Sequence, residues 1–208
     1  VAVMNTAQVV AIEATDVAQL RTSQVAALTT AGTAALTTDQ VAALTTAQVG
    51  RLTTAQMQNL TTTLAAALTS AQVRVLSTDR INALSPEAMA KLADSAIVGL
   101  TTTQLANLST TNAEALTSSQ VGQLSSAQVA ALVTDRLNTF STAEIENLST
   151  AGVSGLTTEQ LANLSTDNAK ALSSTQIAKL SLTQIGALTS DALNTFSTAE
   201  MAAIAATS

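Results

Sequence analysis

Catalysis in a chain without histidine or cysteine would have to run on carboxylates, lysine amines or hydroxyls. Ser and Thr are abundant, but a hydroxyl becomes a nucleophile only beside a base that takes its proton. One carboxylate pair close in sequence is Glu144 with Glu146, and side chains two apart on a helix do not face each other. That pair is expected to be a solvated helix surface. Asp79-Arg80 and Asp135-Arg136 recur as acid and base, while the corresponding third place holds Asp191-Ala192. Asp compensating a helix dipole, with Arg bridging neighbouring segments, accounts for them without a site. Calcium would need a D-x-D-x-D-G loop or glycine-rich nonapeptides, and the chain has neither. The absence of cysteine removes thiolate metal sites and disulfides. No catalytic, cofactor-binding or metal-ligating residue is assigned, and the chain is expected not to be an enzyme.

The elements that hold these residues are written in a repeat. The 208 residues equal 26 times eight, and a large apolar residue recurs every eighth position from Met4 to Ile204. With that residue as position 8, as in Thr45-Thr46-Ala47-Gln48-Val49-Gly50-Arg51-Leu52, the register runs through residues 1–208 as one continuous array of 26 octads. Position 8 is Leu in 21 of 26 cases, the others being Met4, Ile12, Phe140, Phe196 and Ile204. Position 5 is apolar in 25 of 26, with Thr33 the exception, and position 1 is Ser or Thr in 20 of 26. Position 4 is most often Gln.

Eight steps of about 100° carry an apolar stripe some 80° around a continuous helix in every repeat, so the helix must be interrupted. Ser or Thr at position 1 with Gln or Glu at position 4 forms the capping box that starts a helix. Position 8 of the preceding octad and position 5 then form a hydrophobic staple, as Leu44 with Val49 or Leu100 with Leu105. Pro86 falls at the first helical position, where its missing N–H is harmless. Ten of the fourteen acids sit at positions 3 or 4, and five of the eight bases at positions 6 or 7, the order a helix dipole favours. Each octad therefore reads as a capped helix of about six residues, far below the roughly 12 needed for stability alone. Stacked neighbours must supply the rest, which is the logic of a solenoid. The fold class expected is an all-α solenoid of very short helices, with positions 5 and 8 inward and three or four octads per coil. A β-solenoid is the alternative, but it offers no reason for the charge order and would favour β-branched residues over Ala, Gln and Leu.

A longer period overlies the octad. Thr101-Thr102-Thr103-Gln104-Leu105-Ala106-Asn107-Leu108 recurs seven octads later as Thr157-Thr158-Glu159-Gln160-Leu161-Ala162-Asn163-Leu164, and Leu137 to Glu144 recurs as Leu193 to Glu200. Super-repeats span about 45–100, 101–156 and 157–208, and Phe140 and Phe196 hold equivalent places. Seven is prime, so the period is either a duplication length unrelated to the coil or the mark of a non-integral coil, for example about 3.5 octads.

Composition bounds the partners. The chain is 47% hydrophobic with two Phe as its only aromatics, which suits a thin extended core better than a thick central one. Net charge is −6 and the eight bases are scattered along the sequence, so no nucleic-acid surface is expected. No window approaches the roughly 18 apolar residues of a membrane span, so no membrane insertion is expected. The chain begins at Val1 without a charged leader, and no targeting signal can be read from it. Positions 2, 3, 6 and 7 are largely Thr, Ala, Asn and Gln, so the outward faces are neutral and can pack laterally without desolvating many ions. The array lacks distinct polar ends, from which a section of a longer array, or copies stacking into a fibre, is expected. Regular Thr pairs raise ice binding as a further alternative, but position 1 is committed to capping, and Gly50, Arg51, Arg74 and Lys91 would interrupt a clean hydroxyl face.

The strings Leu44-Thr45-Thr46-Ala47-Gln48-Val49 and Leu124-Ser125-Ser126-Ala127-Gln128-Val129 resemble the Leu/Thr/Ala/Gln-rich tandem repeats of large bacterial cell-surface and secreted, adhesin-like proteins. The resemblance covers essentially the whole chain and carries no functional residue with it. It implies an extracellular or cell-surface location and a structural role as a surface fibre, sheath or adhesin stalk. The partner would be self, either as a homopolymer or as neighbouring repeats of a longer chain. The alternative is a non-enzymatic binding module presenting one solenoid face to a cell-surface protein or glycan.

Overall fold

A computed structural model describes residues 4–206. Val1, counted above as a position-5 residue, and the final Thr207-Ser208 lie outside the described residues. Among the described residues there are 25 α-helices and no strand, one helix in each successive octad. Helices have four to six residues, except the last, Thr198–Ala206, which has nine.

Local chemistry starts many of the helices as the capping box requires. At Thr45 the hydroxyl accepts from the Gln48 backbone N–H at 3.2 Å, and the Gln48 Oε1 accepts from the Thr45 N–H at 2.7 Å. Ser85 caps the helix whose first residue is Pro86. Glu13, Ala93 and Val133 make no side-chain cap, yet their helices form around the buried Val17, Ile97 and Leu137. Burial therefore outweighs the roughly 1 kcal/mol of a cap.

The helices stop early because their last turns tighten. Arg51 N–H bonds to Gln48 O and Leu52 N–H to Val49 O, three residues back rather than four. Two extended residues then reset the chain direction, as Leu44 (φ −56°, ψ 132°) and Thr45 (φ −68°, ψ 156°) do. This reset removes the drift that a continuous helix would accumulate. Among the described residues no backbone φ is positive, so the turns need no glycine.

The chain divides into two compact units, Val1–Gln104 and Leu105–Ser208. In the first, each helix packs on the one three further along, as Ala14–Gln19 on Thr38–Ala43 and Thr62–Ala66 on Pro86–Lys91. The second follows the same rule, with Ser118–Gly122 on Thr142–Asn147 and Ser126–Ala131 on Thr150–Ser154. Each unit is an all-α solenoid. Positions 5 and 8 fill the core, for example Val49, Leu52, Val129 and Leu132. Phe140 is buried among them, whereas Phe196 is half-buried. Position 4 also turns inward, which the expected inward set of positions 5 and 8 omits: Gln48 is only 1% exposed and Gln160 2%.

The coil length follows from the bonds between coils. The Gln40 amide donates to Ile12 O, 28 residues earlier, and the Gln160 amide to Leu132 O, again 28 earlier. That spacing is three and a half octads, between the three and the four expected. Two coils make seven octads, so within each unit the longer sequence period returns a residue to the same side of the solenoid. Within each unit, the helices that follow a complete coil lie across the junction between two helices of that coil. The body of such a helix packs on the helix three octads back, while its first turn reaches the end of the helix four octads back.

Coils approach closely at two glycines of position 7. A Cβ on Gly155 would lie 2.2 Å from Ser126 O, and one on Gly99 would lie 2.1 Å from Ser70 O. Only glycine fits between those backbones.

Candidate functional site

The most heavily used polar side chain is the glutamine of position 4. Its Oε1 closes the capping box on its own helix, and its Nε2 points into the preceding coil. In the first unit, Gln48 donates to Val17 O at 2.8 Å and Leu20 O at 2.7 Å. Gln72 donates to Val41 O and Leu44 O, both at 2.8 Å. The second unit repeats the pattern, with Gln176 donating to Ile145 O and Leu148 O, both at 2.9 Å.

These acceptors lie at the ends of helices, where carbonyls lack the regular intrahelical partner four residues on; Val17 O, Val41 O and Ile145 O each also accept from the backbone N–H three residues on. One glutamine therefore caps the start of its own helix and the end of a helix one coil away. A capping box accepts Gln or Glu equally. Glutamate has no N–H to donate, so the bond between coils favours glutamine over glutamate at this position.

Two arginines at position 4 keep the bond between coils. Arg80 Nε donates to Leu52 O, and Arg136 Nε donates to Leu108 O at 2.9 Å, each to a carbonyl 28 residues back. The two arginines bridge coils, rather than the neighbouring segments anticipated. Glu144 keeps the capping bond, accepting from Ser141 N–H at 2.7 Å, but is half-exposed. Asn168 is buried and one methylene shorter than Gln, and its Nδ2 has no hydrogen-bond partner. Thr33, the polar exception at position 5, is buried and accepts from Gln56 Nε2 at 3.1 Å while donating to Thr29 O. Its hydroxyl belongs to the same network.

Outside that network the surface carries shallow grooves. Glu146 is exposed and lines one with Thr142, Asp167, Lys170 and Ala171. Glu144 does not line it, so the two glutamates are not brought together. Among the described residues no three His, Cys, Asp or Glu side chains form a metal-holding group. Nor, among the described residues, is any helix long and apolar enough to cross a membrane.

A second groove, of about 410 Å³, is lined by Thr22, Ser23, Ala26, Arg51 and Arg80. The bases scattered along the sequence are thus partly gathered in space. Arg51 and Arg80 are separated along the chain by one coil and a single further residue. The signal that could have revealed them is a coil-length spacing among charges, which becomes meaningful only once the coil length is known.

A family model described as the ALTTAQ repeat matches residues 9–46, 34–62, 97–134 and 129–166, more than half of the chain. No curated protein matches it.

Proposed function

Because this chain belongs to the ALTTAQ repeat family, we propose that it is a structural, non-enzymatic protein that forms or extends a bacterial surface fibre, sheath or adhesin stalk. The adhesin-like and extracellular part of this proposal rests on the resemblance of its Leu-Thr-Thr-Ala-Gln-Val strings. The observation that carries the structural role is the buried glutamine bond between coils, because it spends the interior polar groups on holding coil to coil. A chain that uses its interior in this way is suited to length and regularity. Neutral outward faces support lateral association of copies, since few ions would lose their water on contact.

Negative-stain microscopy and sedimentation velocity at micromolar concentration test the proposal. Regular polymers that lengthen with protein concentration are expected. Monomers persisting across salt and pH would overturn self-association and favour presentation of a solenoid face to a protein or glycan.

A further inference from the structure

Arg51 and Arg80 differ in how they are held. Arg80 is half-buried, with Nε bonded to Leu52 O and Nη1 to Ser77 Oγ at 3.2 Å. Its guanidinium plane is thereby fixed, and the remaining N–H groups of its five donors are left for other partners. Arg51 is exposed and lines the same groove. It also lines the adjoining groove with Thr22, Thr46, Ala47, Gly50 and Val75.

Two guanidinium groups on one groove repel each other unless an anion lies between them. The lining residues include no carboxylate; Asp79, next to Arg80 in sequence, is not among them. Thr22 and Ser23 add two hydroxyl donors to the lining. A planar donor fork held in place, a second one free to close, and neighbouring hydroxyls match the needs of an oxyanion.

We propose that the groove between Arg51, Arg80, Thr22 and Ser23 binds an oxyanion group, a carboxylate or a sulfate or phosphate, carried by a ligand. The site lies wholly within the first compact unit and does not depend on self-association. Arg80 supplies the preorganised contact, and Arg51 closes over the anion from the exposed side.

The test is NMR of the arginine Nε–Hε groups in the intact chain, titrated at constant ionic strength with sodium sulfate, sodium phosphate or sodium glucuronate. Saturable shifts at Arg51 and Arg80 are expected with at least one probe. A response to sulfate and phosphate alone assigns a tetrahedral ligand, and one to glucuronate alone assigns a carboxylate. Arg51→Gln should weaken binding at least about tenfold, the loss of one charge-assisted contact. Arg80→Gln should do the same while remaining folded, because glutamine is the usual residue at position 4 and can reach Leu52 O. Shifts of equal size at Arg74 and Arg136 without saturation, or unchanged affinity in both variants, would overturn the site.

Discussion

The Gln160 amide nitrogen lies 2.6 Å from the carbonyl oxygen of Leu132, and the Gln160 Oε1 accepts from the Thr157 N–H at 2.7 Å. One side chain thus satisfies the start of one helix and the end of another that is a coil away in the chain. Four expectations follow from this double role and from the close packing of the coils.

Gln160→Glu keeps the capping acceptor and removes every donor. The carboxylate would face the carbonyl oxygens of Val129 and Leu132 in a buried position, and the expected loss is about 3 kcal/mol at pH 7. Urea unfolding should show it directly. At pH 4 part of the loss should return, since burial favours the neutral carboxyl, which carries one donor. A variant as stable as the parent at pH 7 would show that the bond between coils contributes little.

Asn168→Gln is expected to stabilise. The substitution extends the buried amide by one methylene toward the carbonyls that other position-4 glutamines reach, and gives the unpartnered Nδ2 hydrogens an acceptor. A gain of about 1 kcal/mol corresponds to a rise in Tm of roughly 2–4 °C. Differential scanning calorimetry that found a lower Tm would mean the site cannot admit the longer side chain.

Arg136→Gln should leave stability within about 0.5 kcal/mol of the parent, because the glutamine amide can replace Nε as donor to Leu108 O. Arg136→Glu should cost clearly more, having nothing to donate. Equal stability of the two variants in chemical denaturation would count against a contribution from the donor to Leu108 O.

Gly155→Ala and Gly186→Ala should move stability in opposite directions. The added methyl at Gly155 would overlap the Ser126 backbone, with its nearest atom 2.2 Å away, and the expected cost is about 2–3 kcal/mol. At Gly186 the nearest atom is Leu182 O at 3.3 Å, and the backbone is helical at φ −64° and ψ −13°. Alanine there should gain roughly 0.4–1 kcal/mol by restricting the unfolded chain. Thermal unfolding of the two variants side by side gives the comparison.

Much of this was legible in the amino-acid sequence because it is local. The Thr45 and Gln48 capping pair, Pro86 at the first helical position and the apolar residues of positions 5 and 8 all act within one octad, so the period exposes them. The coil length is different in kind. Whether Gln40 meets Ile12 or some other residue depends on how far the chain turns in each reset, which small differences in ψ decide. The preference for Gln over Glu at position 4 was visible, but a capping box explains either residue. Only the bond to the preceding coil explains the choice. Arg51 and Arg80 lay hidden for the same reason, since their places in the chain look unrelated until the length of a coil is known.

The half-octad remainder gives each unit the bond pattern of well-laid brickwork. Where each coil holds a whole number of helices, the joints between successive helices line up, and a split can run along the axis without crossing one. Here joints within a unit are bridged by helices of the next coil, and Leu44 O at the end of one helix is gripped by Gln72 from above. A tear along the axis must therefore break helices and not merely part them. Resistance to pulling should be shared among coils, with failure spreading coil by coil from wherever one gives way.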